Sequence, residues 1–322
     1  MSDDTKLVLL AEPRGFCAGV DRAIGVVEAL LARHGPPVYV RKQIVHNHDV
    51  VRRLESRGAR FVDSVQEVPR GMLCVLSAHG VAPSVRERAA ERGLRVIDAT
   101  CPLVAKVHQE ARRFAARGRH ILLIGHAAHE EVEGTAGQAP ELTTVVESPE
   151  ALEPLLNSGD SALTADTPVA WLTQTTLSPE DTGPVLDAVR ERFRDVRGPA
   201  SEDICYASLN RQNGVRRLAV RCDAVLVVGS ENSSNARRMV EVARTCGAPA
   251  HLVPDAGHLD ERWLHHVSVV GVSSGASTPE SLVDELLARL RALGYGRTEH
   301  VAVAEESVAF ALPPLRSTGD TP

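Results

Sequence analysis

Short apolar runs recur along the chain at Leu7–Leu10, Val38–Val40, Met72–Leu76, Ile121–Ile124, Val169–Leu172, Ala224–Val228 and Val267–Val272. Each has strand length. Between them lie stretches with helical spacing of apolar positions. After Cys17 these are Val20, Ile24, Val27 and Leu31, and after Cys101 they are Val104, Val107, Ala111 and Phe114. After Cys205 the pattern is weaker, with Leu209, then Val215 and Leu218. Strands alternating with helices predict an α/β architecture of parallel sheets covered by helices. No apolar run approaches the roughly 20 residues of a membrane span.

The spacing also predicts an internal repeat. Each of the three cysteines precedes an amphipathic helix, then a strand, then a polar loop. The loops hold His46, His129 and Ser233, which lie 29, 28 and 28 residues beyond Cys17, Cys101 and Cys205. A further strand in each repeat ends in a second polar loop: Ser77-Ala78-His79-Gly80, Thr173-Gln174-Thr175-Thr176 and Ser273-Ser274-Gly275-Ala276-Ser277. The expected division is three α/β units over residues 1–98, 99–200 and 201–296, with a tail at 297–322. The ends Met1–Thr5 and Ser317–Pro322 read as frayed. Ligands bind beyond the carboxyl ends of parallel strands, so loops from three facing units would meet in one cavity.

Composition narrows the function. Aromatic residues are only 3%, so the core must be built from aliphatic residues. A net charge of −6 with no Lys/Arg tract argues against a nucleic-acid binder. The acidic start, Met1-Ser2-Asp3-Asp4-Thr5-Lys6, has no signal-peptide pattern, and a cytoplasmic protein is expected. Six cysteines without any C-x-x-C exclude the usual zinc-knuckle, thioredoxin-like and ferredoxin spacings. Cys74, Cys222 and Cys246 fall outside the repeat and read as core or surface thiols.

Cys17, Cys101 and Cys205, each at a helix start, are expected to titrate low because the helix dipole favours thiolate. Three thiolates on one centre suit zinc or an iron–sulfur cluster, and a cubane held by three cysteines leaves one iron open. The stretch Gly125-His126-Ala127-Ala128-His129-Glu130-Glu131 offers His129 and Glu131 as proton donor and anion anchor. Glu130 and Glu133 read as structural charges at a helix start. Ser233-Ser234-Asn235 and Ser277-Thr278-Pro279-Glu280 have the character of helix N-termini, either simple caps or anion sites. Taken with His46, His79 and His129, they suggest a site for a diphosphate. No nucleotide-binding glycine motif is present, so electrons for a redox centre would come from a partner protein.

Several segments together resemble one family, the 4-hydroxy-3-methylbut-2-enyl diphosphate reductases. They are Pro13-Arg14-Gly15-Phe16-Cys17-Ala18-Gly19-Val20-Asp21-Arg22-Ala23, Val45-His46-Asn47, Ser77-Ala78-His79-Gly80-Val81 and Asp98-Ala99-Thr100-Cys101-Pro102-Leu103-Val104. Thr173-Gln174-Thr175-Thr176-Leu177-Ser178, Asp203-Ile204-Cys205-Tyr206-Ala207, Asn232-Ser233-Ser234-Asn235 and Gly275-Ala276-Ser277 follow in family order, spanning about residues 7–312. The resemblance implies a three-lobed, trefoil-like fold around one central [4Fe–4S] cluster held by Cys17, Cys101 and Cys205. It implies a diphosphate held by His46, His79, His129, Ser233, Ser234, Asn235 and Ser277, with Glu131, Thr175 and His129 in proton transfer and Thr175 also at the substrate. The implied reaction is reductive dehydroxylation of an allylic diphosphate to isopentenyl and dimethylallyl diphosphates, the last step of the non-mevalonate route. The implied electron donor is ferredoxin or flavodoxin. Leu209, Glu130 and Glu231 depart from the family pattern. Two rivals share the thiolates: a non-catalytic iron–sulfur redox sensor, and a zinc-dependent diphosphate hydrolase. The complete His/Ser/Asn set argues against the sensor.

Overall fold

The structure is a computed structural model that describes residues 6–157 and 163–315. The ends expected to fray, Met1–Thr5 and Ser317–Pro322, lie outside the described residues. In chain order the elements begin with β1 (Leu7–Glu12), α1 (Ala18–His34), β2 (Val38–Arg41), α2 (His48–Ser56), β3 (Ala59–Val62), β4 (Leu73–Leu76), α3 (Pro83–Glu91) and β5 (Arg95–Asp98). Next come α4 (Pro102–Ala116), β6 (His120–Ile124), α5 (Glu130–Ala136), β7 (Thr143–Val146), α6 (Glu153–Asn157), β8 (Val169–Thr173), α7 (Pro179–Arg192) and β9 (Val196–Arg197). The last are α8 (Tyr206–Ala219), β10 (Ala224–Val228), α9 (Ser234–Thr245), β11 (Ala250–Val253), β12 (Val269–Ser274), α10 (Glu280–Ala292) and β13 (Arg297–Ala302).

These elements form two compact units. The first consists of the described residues up to Asp21, Val45–Arg53 and Tyr206–Ala309. Its parallel sheet has the order β11-β10-β12-β1-β13. Strand alternation sends Val8 and Leu10 to one face, where they meet Leu226, Val272 and Leu286. Leu9 and Ala11 face the other way, against Val215, Leu218 and Met239. Apolar positions on both faces explain why the runs read as continuous rather than alternating. Helix α10 covers the first face, and α8 and α9 cover the second.

The second unit consists of Arg22–Ile44, Leu54–Cys205 and the described residues from Phe310. It holds two parallel sheets, ordered β3-β2-β4-β5 and β7-β6-β8-β9. The α/β architecture of three parallel sheets expected from the run pattern is therefore present.

The three sheets share a plan. In each, the central pair is the strand before the first polar loop (β2, β6, β10) and the strand before the second (β4, β8, β12). Beside the latter lies the strand that leads to a cysteine: β5 to Cys101, β9 to Cys205 and β1 to Cys17. Here the pairing departs from the expected boundaries. β1 falls in 1–98 and β13 in 297–322, yet both join the sheet of the 201–296 repeat. The reason is that each cysteine-bearing strand pairs within the preceding repeat's sheet, and the first has only the third sheet to join.

Helix α8 accounts for the weak periodicity after Cys205. Its buried face carries Ser208, Arg211 and Gln212 along with Ala207, Val215 and Leu218, so polar side chains occupy positions that hydrophobic spacing would assign to the core.

Candidate active site

In the first unit, neighbouring strands β10, β12 and β1 deliver their carboxyl-end loops side by side. The loop after β1 carries Cys17, whose N–H donates to the Ala276 carbonyl (3.1 Å) in the loop after β12. The Ala276 N–H in turn donates to Asn235 Oδ1 (3.0 Å), and Asn235 Nδ2 donates to Ser208 Oγ (3.3 Å). Ser208 thus contributes a hydroxyl to this group, while Leu209, which departs from the family pattern, is half-buried beside it. Ser233 caps α9 through the Ala236 N–H, as its position before a helix predicts. Ser233, Ser234 and Asn235 are all buried. Ser277 differs from the expectation of a second cap. Pro279 precedes α10 without capping it, and Ser277 Oγ instead donates to the His46 carbonyl (2.9 Å), joining that loop to the group. Glu231 is exposed at the rim of a cavity of about 290 Å³ that also includes Arg52 and His48.

In the second unit, β4 and β5 are neighbours, and Cys101 N–H donates to the Ala78 carbonyl (3.0 Å) next to His79. β6 and β8 are also neighbours, which brings the His126–Glu131 segment to the Thr173–Thr176 loop. Glu131, 3% exposed, accepts from the Thr175 N–H (2.6 Å) and from Thr175 Oγ1 (2.9 Å). Burial pushes the Glu131 carboxyl above its usual range, against the Thr175 hydrogen bonds and the His79 charge. His129 caps α5, its Nδ1 accepting from the Glu131 N–H (3.2 Å), which leaves the ring proton on Nε2. The His79 and His129 rings meet edge to face at 6.0 Å. Thr175 also supplies the carbonyl that accepts from the Cys205 N–H (3.0 Å), tying this proton-bearing group to a cysteine. His126 is exposed, and its backbone N–H donates to Gln174 Oε1.

Three residues here escaped the sequence reading as participants. Glu130, read as structural, has Oε2 3.3 Å from His79 Nδ1. Burial raises its pKa, but His79, Lys42 and Arg41 outweigh that and hold it below the usual range. Asp203 is buried, accepts from the Thr173 N–H and pairs with Lys106. Burial lifts it to about 6. His108 on α4 lies against Gly80, and burial lowers it to about 4. Glu130 carried a usable signal, being one residue from His129. Asp203 and His108 carried none, because only the fold buries them.

Cys17, Cys101 and Cys205 are partly exposed thiols outside any disulfide, each one residue before a helix. Cys74 and Cys222 are pushed up to about 12, chiefly by burial, which suits inert thiols. The expectation of a depressed Cys17 is corrected: burial raises it and outweighs the Val20 and Gly19 backbone hydrogen bonds and the Arg211 charge. Such a thiol stays protonated until a cation takes the proton's place. Thiols at helix starts, outside any disulfide, are donors of the kind that an iron–sulfur cluster takes.

The family model described as LytB protein matches residues 8–291. The 4-hydroxy-3-methylbut-2-enyl diphosphate reductase of Acidothermus cellulolyticus is 56% identical over 95% of this chain and 89% of its own length. The reductase of the same name from Cutibacterium acnes is 54% identical over 96% of this chain and 94% of its own. Among solved structures, the E-1-hydroxy-2-methyl-but-2-enyl-4-diphosphate reductase of Plasmodium falciparum superposes with a TM-score of 0.91 at 37% identity, covering 96% of both chains. With the motifs and the three parallel sheets in agreement, the chain belongs to the LytB family.

Proposed function

We propose that this chain is a cytoplasmic reductase that converts (E)-4-hydroxy-3-methylbut-2-enyl diphosphate to isopentenyl and dimethylallyl diphosphates. The observation that carries the chemistry is the buried Glu131 carboxyl, shifted toward its protonated form and held at both oxygens by Thr175. The net reaction takes up two electrons and two protons, breaks the allylic C–O bond, forms a C–H bond and releases water. Hydroxide is a poor leaving group, so the site must deliver a proton to that oxygen.

Glu131 is the proton source, and the Thr175 hydroxyl, which both donates and accepts, passes the proton on and orients the substrate. Once Glu131 has given up its proton, the same two hydrogen bonds stabilise the carboxylate. His129, with its proton on Nε2, donates to the diphosphate or replenishes the relay. His46, His79, His129, Ser233, Ser234, Asn235 and Ser277 bind the diphosphate. Glu130 holds the His79 ring through its Nδ1. Cys17, Cys101 and Cys205 hold one [4Fe–4S] cluster. When bound, it supplies the two electrons one at a time and a Lewis acid toward the departing oxygen. Ferredoxin or flavodoxin would be the electron donor. We also propose that the division at 1–98, 99–200, 201–296 and 297–322 describes the ancestral repeat, each unit giving one cysteine and two substrate loops.

Anaerobic purification, iron and sulfide analysis and turnover with dithionite and viologen test this reading. A brown protein with about four irons that forms both products supports it. A colourless zinc protein overturns it.

A further inference from the structure

Arg211 is among the largest fully buried side chains, 0% exposed, and it lies on the face of α8 that periodicity fails to mark. Burying a guanidinium costs several kcal/mol unless its donors are used. All five N–H groups can be accounted for. Nε and Nη2 donate to the Gly15 carbonyl (3.1 and 2.6 Å), and Nη2 also reaches the Phe16 carbonyl (3.3 Å). Nη1 donates to the Ala207 carbonyl (3.0 Å) and to Glu306 Oε1 (2.9 Å), with Nη2 reaching Glu306 Oε2 (3.4 Å). Two of these carbonyls belong to the residues directly before Cys17.

The same loop is pinned from its other side. Gly15 N–H donates to Ser274 Oγ (2.8 Å) and Cys17 N–H to the Ala276 carbonyl. Gly15 has φ +68°, a backbone that favours glycine, and a Cβ there would lie 3.3 Å from the Thr278 carbonyl. Amides are thus held by the end of β12 and the loop after it, and carbonyls by Arg211. The countercharge comes from the extended segment after β13. Val303 N–H donates to the Glu12 carbonyl (2.9 Å), and Glu306 also accepts from Asn210 Nδ2 (3.0 Å).

We infer that the buried Arg211 guanidinium and its partner Glu306 form a charge pair that positions the Cys17 sulfur and sets the electrostatic environment of the group it ligates. This rests on the cluster reading above. Arg211 is a positioning residue: it acts through the Gly15–Cys17 backbone and through its charge. The guanidinium puts a positive charge against the carbonyls of the two residues before Cys17 and Glu306 puts a negative charge behind it, so the two signs are separable by mutation. A cluster gains negative charge on reduction. Removing Glu306's charge raises its reduction potential, and removing Arg211's lowers it.

The test compares wild type, Glu306→Gln, Arg211→Met and Arg211→Lys, purified anaerobically as full chains. Its readouts are iron per chain, rate of iron loss to a chelator and reduction potential. Glu306→Gln keeps the shape and shifts the potential upward. Arg211→Met shifts it downward and speeds iron loss about tenfold or more, the scale of a lost supporting hydrogen bond at a metal ligand. Arg211→Lys restores the potential but not the retention, because an ammonium cannot span both carbonyls and the carboxylate. Should Arg211→Met fail to fold, Glu306→Gln still decides. If its potential equals wild type, the inference is overturned and the reductase reading stands. A wild-type chain that takes up no cluster overturns the reductase reading itself.

Discussion

The two units differ in the kind of polar side chain they hold at their strand ends. In the first, the candidate residues Ser233, Ser234, Asn235 and Ser277 are neutral and buried, and Ser233, Asn235 and Ser277 bond to backbone groups. In the second, Glu130, Glu131 and Asp203 are carboxyls whose pKa values are moved by burial and by His79 or Lys106. Groups that cannot ionise hold an anion equally well at every pH. Groups whose charge is finely balanced can give and take protons. With the proposed roles, the carboxyls of the second unit should cost kcat when replaced and the neutral residues of the first should cost KM.

The largest break is Glu131→Gln. It preserves volume and most of the Thr175 contacts but carries no acidic proton, so steady-state kcat should fall about a thousandfold with KM little changed. A proportionate rise in KM would instead make Glu131 a binding group. In wild type, the required form of Glu131 is protonated, so kcat should decline as pH rises through its elevated pKa. The same decline in Glu131→Gln would refute that assignment.

Next is Gly80→Ala, which asks whether the His79 loop tolerates movement. Gly80 has φ +75°, and a Cβ would meet His108 Cε1 at 2.5 Å. Strain and overpacking together should cost about 3 kcal/mol in denaturant unfolding. Asn235→Asp probes the neutral unit. It keeps the acceptor for Ala276, loses the donor to Ser208 and adds a negative charge, so KM should rise roughly fiftyfold.

The smallest effect concerns acid stability of the second unit. His108 sits at about 4 when folded against 6.5 for the free side chain, so the unfolded chain binds the extra proton first. Its contribution is fully present above the unfolded value and is lost as pH falls from 6.5 toward 4. Between pH 7 and 5 this amounts to about 2 kcal/mol. His108→Gln should flatten that slope, and an unchanged slope would exonerate His108.

Much of the architecture was legible because it is local. The apolar runs mark β2, β6, β10 and their partners, and the regular distance from each cysteine to its loop marks the repeat. What was not legible is non-local or polar. Nothing in Leu7–Leu10 indicates that β1 pairs with β12 and β13 rather than with the sheet that follows it in sequence. Arg211 and Gln212 on α8 defeated the search for an apolar stripe, because that stripe presumes that buried positions are greasy. Ser277 was read as a cap from its neighbours Thr278 and Pro279, whereas its partner, the His46 carbonyl, is 231 residues away.

The placement of β1 has a consequence for the ribosome. Its partner β12 begins at Val269, about 260 residues later, and at 5–20 residues per second that separation is tens of seconds of synthesis. The strands of the second unit's two sheets, from Val38 to Arg197, have all emerged before that. Meanwhile a greasy Leu-Val-Leu-Leu segment waits without its ladder, the kind of exposed strand that invites aggregation. Nascent chains of this protein should therefore depend on holding chaperones at their first strand, and the Cys17 loop reaches its native setting only after β12 has emerged.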